Sequence, residues 1–256
     1  MKFKALWTLP AVGLLAACVG GSTSNTPTAS FTTLKGFSDG AGVARGVGSD
    51  GKEMLFITSD IAQNVAAANQ SAANPVGDIQ FSDFAVVRTL PTAVVREGTI
   101  TIEGVVANVT IVENNDGEAG IIYLVLPDLS NAVLVTGSAY GTAPNGSFTY
   151  NGVHIIMDRF SGNAEDGAFT LTADFNNKSF YYSGTTNNSS LTGSGLIDTQ
   201  NGRFASSNLT SNVSGDTNTA SMYGQLHGSS AQSVTGVFHT NESDPSYAGA
   251  FVGSRP

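Results

Sequence analysis

Three histidines, one cysteine and one short acidic segment are the places where this 256-residue sequence could carry chemistry. The histidines are His154, His227 and His239. None has another histidine or cysteine at the spacing of a zinc ligand set. His227 and His239 fall in adjacent predicted strands, so a pair stays open beside the simpler reading of strand-end histidines. Glu113, Asp116 and Glu118 look like half of a calcium loop, but their spacing fails the EF-hand pattern; a solvated hairpin tip accounts for them. Glu165-Asp166 reads as a turn. The one Gly-x-Ser-x-Gly spacing, Gly36-Phe37-Ser38-Asp39-Gly40, sits in a Gly-rich stretch with no predicted helix directly after it, so it lacks the strand-to-helix context of a nucleophile elbow. With no nucleophile–base or metal constellation, the sequence predicts no catalytic residue, no cofactor and no metal, and so a binding or surface module in preference to an enzyme.

The cysteine is Cys18, and it stands alone in the chain. Before it come Lys2 and Lys4, an apolar run from Ala5 to Ala17, and small residues at the end of that run. This is the layout of a secretory signal over residues 1–17. The run is shorter than the roughly 20 residues of a spanning helix, and Pro10 and Gly13 interrupt it. Leu15-Ala16-Ala17-Cys18 resembles the lipobox of bacterial lipoproteins. That resemblance implies a diacylglycerol on the Cys18 thiol, cleavage before Cys18, and a further acyl chain such as palmitate on the new amino group. Several chains on one residue anchor stably, since each buried methylene contributes about 0.8 kcal/mol. An anchored Cys18 leaves no cysteine for a disulfide, so packing and hydrogen bonds must hold the fold. Val19, not aspartate, follows Cys18; by the same resemblance, that favours the outer membrane. The polar stretch that completes residues 18–30 reads as a tether, able to reach about 40 Å.

Composition narrows the partners. Removing residues 1–17 leaves 9 basic against 20 acidic side chains, a formal charge of −11. That balance argues against nucleic acid and against electrostatic docking on anionic lipid. Charged residues are only 12% of the chain while hydrophobic ones reach 41%. A core is available, and the polar surface must come from Ser, Thr, Asn and Gly.

Positioning falls to strands. Residues 31–51 are Gly-rich with short strands, Met54–Thr58 is a strand, and Asp60–Ala73 is the one helix, stopped by Pro75. Thr99–Glu113 alternates as one strand, Asn115-Asp116-Gly117 turns, Ile121–Leu126 returns and Ala132–Thr136 follows. From residue 146 eight strands are expected: Phe148–Met157, Ala168–Phe175, Ser179–Gly184, Leu191–Asp198, Phe204–Asn212, Ala220–His227, Val234–Thr240 and Ala248–Gly253. Asn145-Gly146, Asp166-Gly167 and Asn201-Gly202 are read as turns. Even spacing and hairpin turns suggest an antiparallel sandwich or closed barrel. Gly195, Gly224, Gly236 and Gly249 supply bends. The strands are too short, and their second faces too polar, for a membrane-spanning barrel. Loops 113–118, 158–167, 185–190 and 212–219 are the candidate binding positions.

The far end of the sequence carries a more specific pattern. Met222-Tyr223-Gly224-Gln225-Leu226-His227-Gly228 leads through Ala231 to Thr235-Gly236-Val237-Phe238, and Ala248-Gly249-Ala250-Phe251-Val252-Gly253-Ser254-Arg255 follows. Upstream stand Leu171-Thr172-Ala173-Asp174-Phe175, Gly195-Leu196-Ile197-Asp198 and Asn201-Gly202-Arg203-Phe204. Together these resemble the barrel domain of the transferrin-binding protein B family of surface lipoproteins. Gln225 replaces that family's proline, and Thr235 its glycine. The resemblance covers residues 146–255; residues 31–145 are compatible with the family's smaller handle domain.

What the resemblance implies is an all-β, mainly antiparallel fold. A handle-like β domain with one helix (31–145) would stand beside an eight-stranded up-and-down β-barrel (146–256). It also implies an outer-membrane lipoprotein, anchored at the cell surface, that binds a host or environmental protein or solute in iron or nutrient acquisition, with a TonB-dependent outer-membrane receptor as a partner. The full family member has two lobes, and this chain is long enough for one. The alternative is a structural or immune-evasion surface lipoprotein with no transport role.

Overall fold

Apolar and polar side chains alternate with a period of two along most of this chain, which suits pleated strands buried on one face. The computed structural model describes residues 30–33, 44–47, 53–58, 81–102, 105–125, 131–158, 163–241 and 247–256. Eight strands form an open antiparallel sheet: β1 (Ser30–Thr33), β2 (Ala44–Val47), β3 (Glu53–Thr58), β4 (Ala85–Thr89), β5 (Ala93–Ile102), β6 (Val105–Asn114), β7 (Ala119–Val125) and β8 (Asn131–Gly137). Their order is β1-β2-β3-β8-β7-β6-β5-β4. Eight more close a barrel: β9 (Ser147–Asp158), β10 (Ala164–Asp174), β11 (Ser179–Thr185), β12 (Ser189–Asp198), β13 (Arg203–Val213), β14 (Asp216–His227), β15 (Ser233–Thr240) and β16 (Tyr247–Ser254). Each barrel strand pairs antiparallel with the next, and β16 pairs with β9 to close the ring. The fold is thus all-β, with an up-and-down barrel as expected. Among the described residues the only helical piece is a 3-10 turn at Phe81–Asp83. The helix expected at Asp60–Ala73 lies outside them.

Three local expectations are corrected. The single strand foreseen over Thr99–Glu113 is two, β5 and β6, which pair from Ile102↔Val105 outward. The apolar positions change phase there, from even (Ile100, Ile102) to odd (Val105, Val109, Ile111), and that one-residue shift is the hairpin's mark in the sequence. Asp166-Gly167 lies within β10 and is no turn. A Cβ on Gly167 would meet the Thr185 carbonyl, so glycine there permits backbone approach. The loop foreseen at 212–219 shrinks to Ser214-Gly215, both at positive φ (53° and 97°), between strands that run to Val213 and from Asp216. Two positive-φ residues make the turn whose twist matches a hairpin.

The barrel interior is aromatic. Tyr150, Phe169, Phe180, Tyr182, Phe204, Phe238 and Phe251 point inward and are at most 3% exposed. Glycines in the strands seat these rings: a Cβ on Gly195, Gly224, Gly236 or Gly249 would strike Phe180, Phe204, Phe251 or Phe238 respectively. The sequence reading gave these glycines to bending; steric room for a ring is their visible use.

The open sheet packs across the outside of β9, β15 and β16. Ala93, Val95, Val112, Ile121, Val133 and Val135 form one cluster with Val153, Ile155, Met157, Val237, Ala250 and Val252. Each valine, isoleucine or methionine buried there contributes roughly 1.5–3 kcal/mol. The sheet's opposite face is also closed at its centre, where Ile111, Ile122 and Leu134 are buried. The Phe81 ring lies on Gly120 there, and the Phe84 ring on Gly98.

Candidate binding surfaces

The junction between sheet and barrel gathers most of the polar residues singled out in the sequence. Asn114 is 1% exposed, so the 113–118 tip is not simply solvated. Its Nδ2 donates to Ser233 Oγ at 3.0 Å, and Ser233 Oγ donates to Asp116 Oδ2 at 3.0 Å. Glu113 instead pairs with Arg96 at 3.0 Å. The acids therefore diverge, and among the described residues no three His, Cys, Asp or Glu side chains converge as a metal site.

His227 stands at the same junction. Its Nδ1 lies 2.8 Å from the Ser138 carbonyl and its Nε2 2.7 Å from Thr235 Oγ1. A carbonyl only accepts, so Nδ1 carries the proton and the Thr235 hydroxyl donates to Nε2. Gly137 lies against the imidazole, with no room for a Cβ. The His227–His239 pair does not form. His227 is opposite Ser233 and His239 opposite Ser221, six residues apart along β14, or about 20 Å.

The segment between β8 and β9 is stitched to one end of the barrel. Gly141 N donates to the Gly228 carbonyl at 3.0 Å, Thr142 N to Ser229 at 3.1 Å, and Tyr140 Oη to Thr199 at 3.0 Å. Beside this seam a groove of about 700 Å³ is lined by Pro144, Ser147, Phe148, Thr149, Gln232, Arg255 and Pro256. Arg255 is a brace there: its Nη2 holds Ser230 O at 2.8 Å, and its guanidinium lies 4.6 Å from the centre of the Phe148 ring.

At the opposite end lie the short connections 186–188 and 214–215. Residues 159–162 and 242–246 are outside the described set. Of the predicted loop 185–190, only residues 186–188 lie between strands. Glu165 receives Asn188 Nδ2 at 2.6 Å and Thr186 Oγ1 at 2.7 Å. Those bonds hold its carboxyl below the ordinary range.

Among the described residues, two strand faces stay open to solvent. The outward faces of β10–β13 present Thr170, Thr172, Ser183, Thr185, Thr192, Ser194 and Thr210, with Tyr181 (51% exposed) and Leu196 (73%) among them. Ser179 is opposite Leu196 and Tyr181 opposite Ser194, so Tyr181 and Leu196 are diagonal neighbours. At the sheet's edge, β4 is exposed along its whole length, with Val86 at 54% and Val87 at 52%. Its Arg88 reaches the barrel through Asp166 at 3.1 Å. The sequence reading named neither surface. A signal for Tyr181 was present: Phe180-Tyr181 puts two aromatics at adjacent positions of a period-two strand, so one must face out. Cys18, the lipid-attachment residue expected from the sequence, lies outside the described residues.

No family model matches the sequence, and no curated protein matches it. Solved structures do. The haemoglobin receptor HpuA from Kingella denitrificans aligns at a TM-score of 0.51 and 13% identity, covering 91% of this chain and 88% of its own. The intact two-lobed Ap-TbpB aligns at 0.53 and 12%, covering 83% of this chain and 51% of that one. Isotype 1 transferrin-binding protein B from serogroup B Neisseria meningitidis gives 0.51 and 12%, covering 84% and 49%. The chain thus spans about half of each transferrin-binding protein and most of HpuA. It has the fold of a transferrin-binding protein B-like lobe, an open antiparallel sheet packed on a closed eight-stranded barrel.

Proposed function

We propose that this chain is a surface lipoprotein acting as a single-lobe binding protein for a host or environmental protein or solute, in iron or nutrient acquisition. The observation that carries this is the shared fold with HpuA, a haemoglobin receptor, over nearly the full length of both chains. The two-lobed relatives are named for binding transferrin, and the architecture serves both, so fold alone does not select the ligand. The junction histidine is taken up by structural hydrogen bonds, and Glu113 of the 113–118 tip is paired with Arg96. In this reading residues 1–17 are the export signal and Cys18 bears the acyl anchor. The tether 18–30 then holds the handle domain (31–145) and the barrel domain (146–256) at the outer membrane, within reach of a TonB-dependent receptor. Deletion of the gene tests the role in uptake. A growth defect on one iron source, repaired by the intact gene but not by a Cys18→Ala form, is the expected outcome. Normal growth of the deletion strain on every iron and nutrient source would remove the reading.

A further inference from the structure

We infer that His154 makes the barrel acid-labile from within: a second proton on its buried imidazole opens the seam formed by β9, β10 and β11. His154 is 0% exposed and faces the barrel interior. Its Nδ1 is 3.1 Å from Tyr182 Oη, while Nε2 is buried with no hydrogen-bond partner. The ring packs between Tyr182 and Phe238, with centroid distances of 6.3 and 6.4 Å. Gly184 makes the room, since a Cβ there would lie 2.5 Å from Nδ1. The space is thus shaped around a neutral ring.

An imidazolium must donate from both nitrogens, and the packed shell answers poorly. From β11 the ionisable neighbour is Tyr182, whose own ionisation burial suppresses. From β10 come Glu165, held by Thr186 and Asn188 at the rim, and Asp166, paired with Arg88. Phe238 of β15 and Phe251 of β16 do not titrate. Burial lowers the His154 pKa to about 4, outweighing the Thr185 carbonyl and Asp166, which favour the charged form. A group whose folded pKa lies below its unfolded value supports the fold fully above the unfolded value, here about 6.5. That support is lost as pH falls from there toward 4.

The experiment has two arms on the full-length protein. Urea unfolding at pH 7.5 and pH 5.0 should show the folding constant of the wild type falling roughly 25–30-fold more than that of His154→Gln, which cannot titrate. Proton NMR of the wild-type imidazoles should show one ring that stays neutral to below pH 5. Parallel pH dependence in the two proteins would overturn the inference. So would a His154 ring titrating near 6.5, and this arm decides even if the variant does not fold.

Discussion

The barrel wall that carries the handle sheet and the wall that faces solvent share one aromatic interior but differ outside. On the covered side β15 is buried at every position, and β14 and β16 over most of their lengths. On the open side β10 and β11 alternate between buried inward and exposed or half-exposed outward positions. Outward Val153, Ile155 and Met157 on β9 answer to outward Thr170, Thr172 and Thr185 on β10 and β11. Inward residues close the barrel; outward ones determine whether a strand becomes an interface. The middle of the open wall, where threonines and serines surround Tyr181, is uncharged, while Asp166, Asp174, Asp198 and Arg203 sit toward its strand ends.

Substituting one carboxylate on each wall gives the largest separation. Ile155→Asp would bury an unpaired charge between handle and barrel and should destabilise by about 4 kcal/mol or more. Thr210→Asp, outward on the exposed wall, should stay within about 0.5 kcal/mol. Denaturant unfolding of the two proteins compares them directly, and equal losses would break the two-wall distinction.

His227→Ala comes next. It strands the Ser138 carbonyl and the Thr235 hydroxyl inside the junction, for an expected loss of about 2–4 kcal/mol. Amide exchange should rise in β8 and β15 before it rises in β11 and β12; uniform loosening would show that His227 has no special place between the two parts.

Arg88→Ala removes an ion pair between half-exposed partners, so the expected cost is at most about 1 kcal/mol and should fade in high salt. Leu196→Ser should change stability least of all, since Leu196 is already 73% exposed. A measurable loss from Leu196→Ser would mean that the open wall is packed after all.

The legibility of the fold follows the same division. Strands buried on one face, such as Phe169–Phe175 with threonines between, announced themselves by alternation and lie where the sequence placed them. Strands buried on both faces gave runs of small and apolar residues, Ala248–Val252 among them, whose outward half could not be assigned to an interface without knowing what covers it. The β5–β6 hairpin was missed because only a one-residue phase change, between Ile102 and Val105, separates its two apolar sets. The β14 start was missed because Thr217, Asn218 and Thr219 read as loop by composition, whereas pairing with Ser211 and Asn212 makes them strand. The binding surfaces were the least legible. Tyr181 and Leu196 are ordinary strand residues in sequence, and only the closed ring decides that their side faces solvent. His227 read as a strand-end residue because its partners, Ser138 and Thr235, are distant or unremarkable in sequence.

The most direct test of the proposed role is a binding measurement with the purified chain from residue 31 onward, immobilised and exposed in turn to haemoglobin, transferrin and haem. Saturable binding to one of them, with a dissociation constant in the micromolar range or below and lost on unfolding, is the predicted result. Absence of saturable binding to all three, with the barrel shown to be folded, would contradict an iron-acquisition role for this lobe.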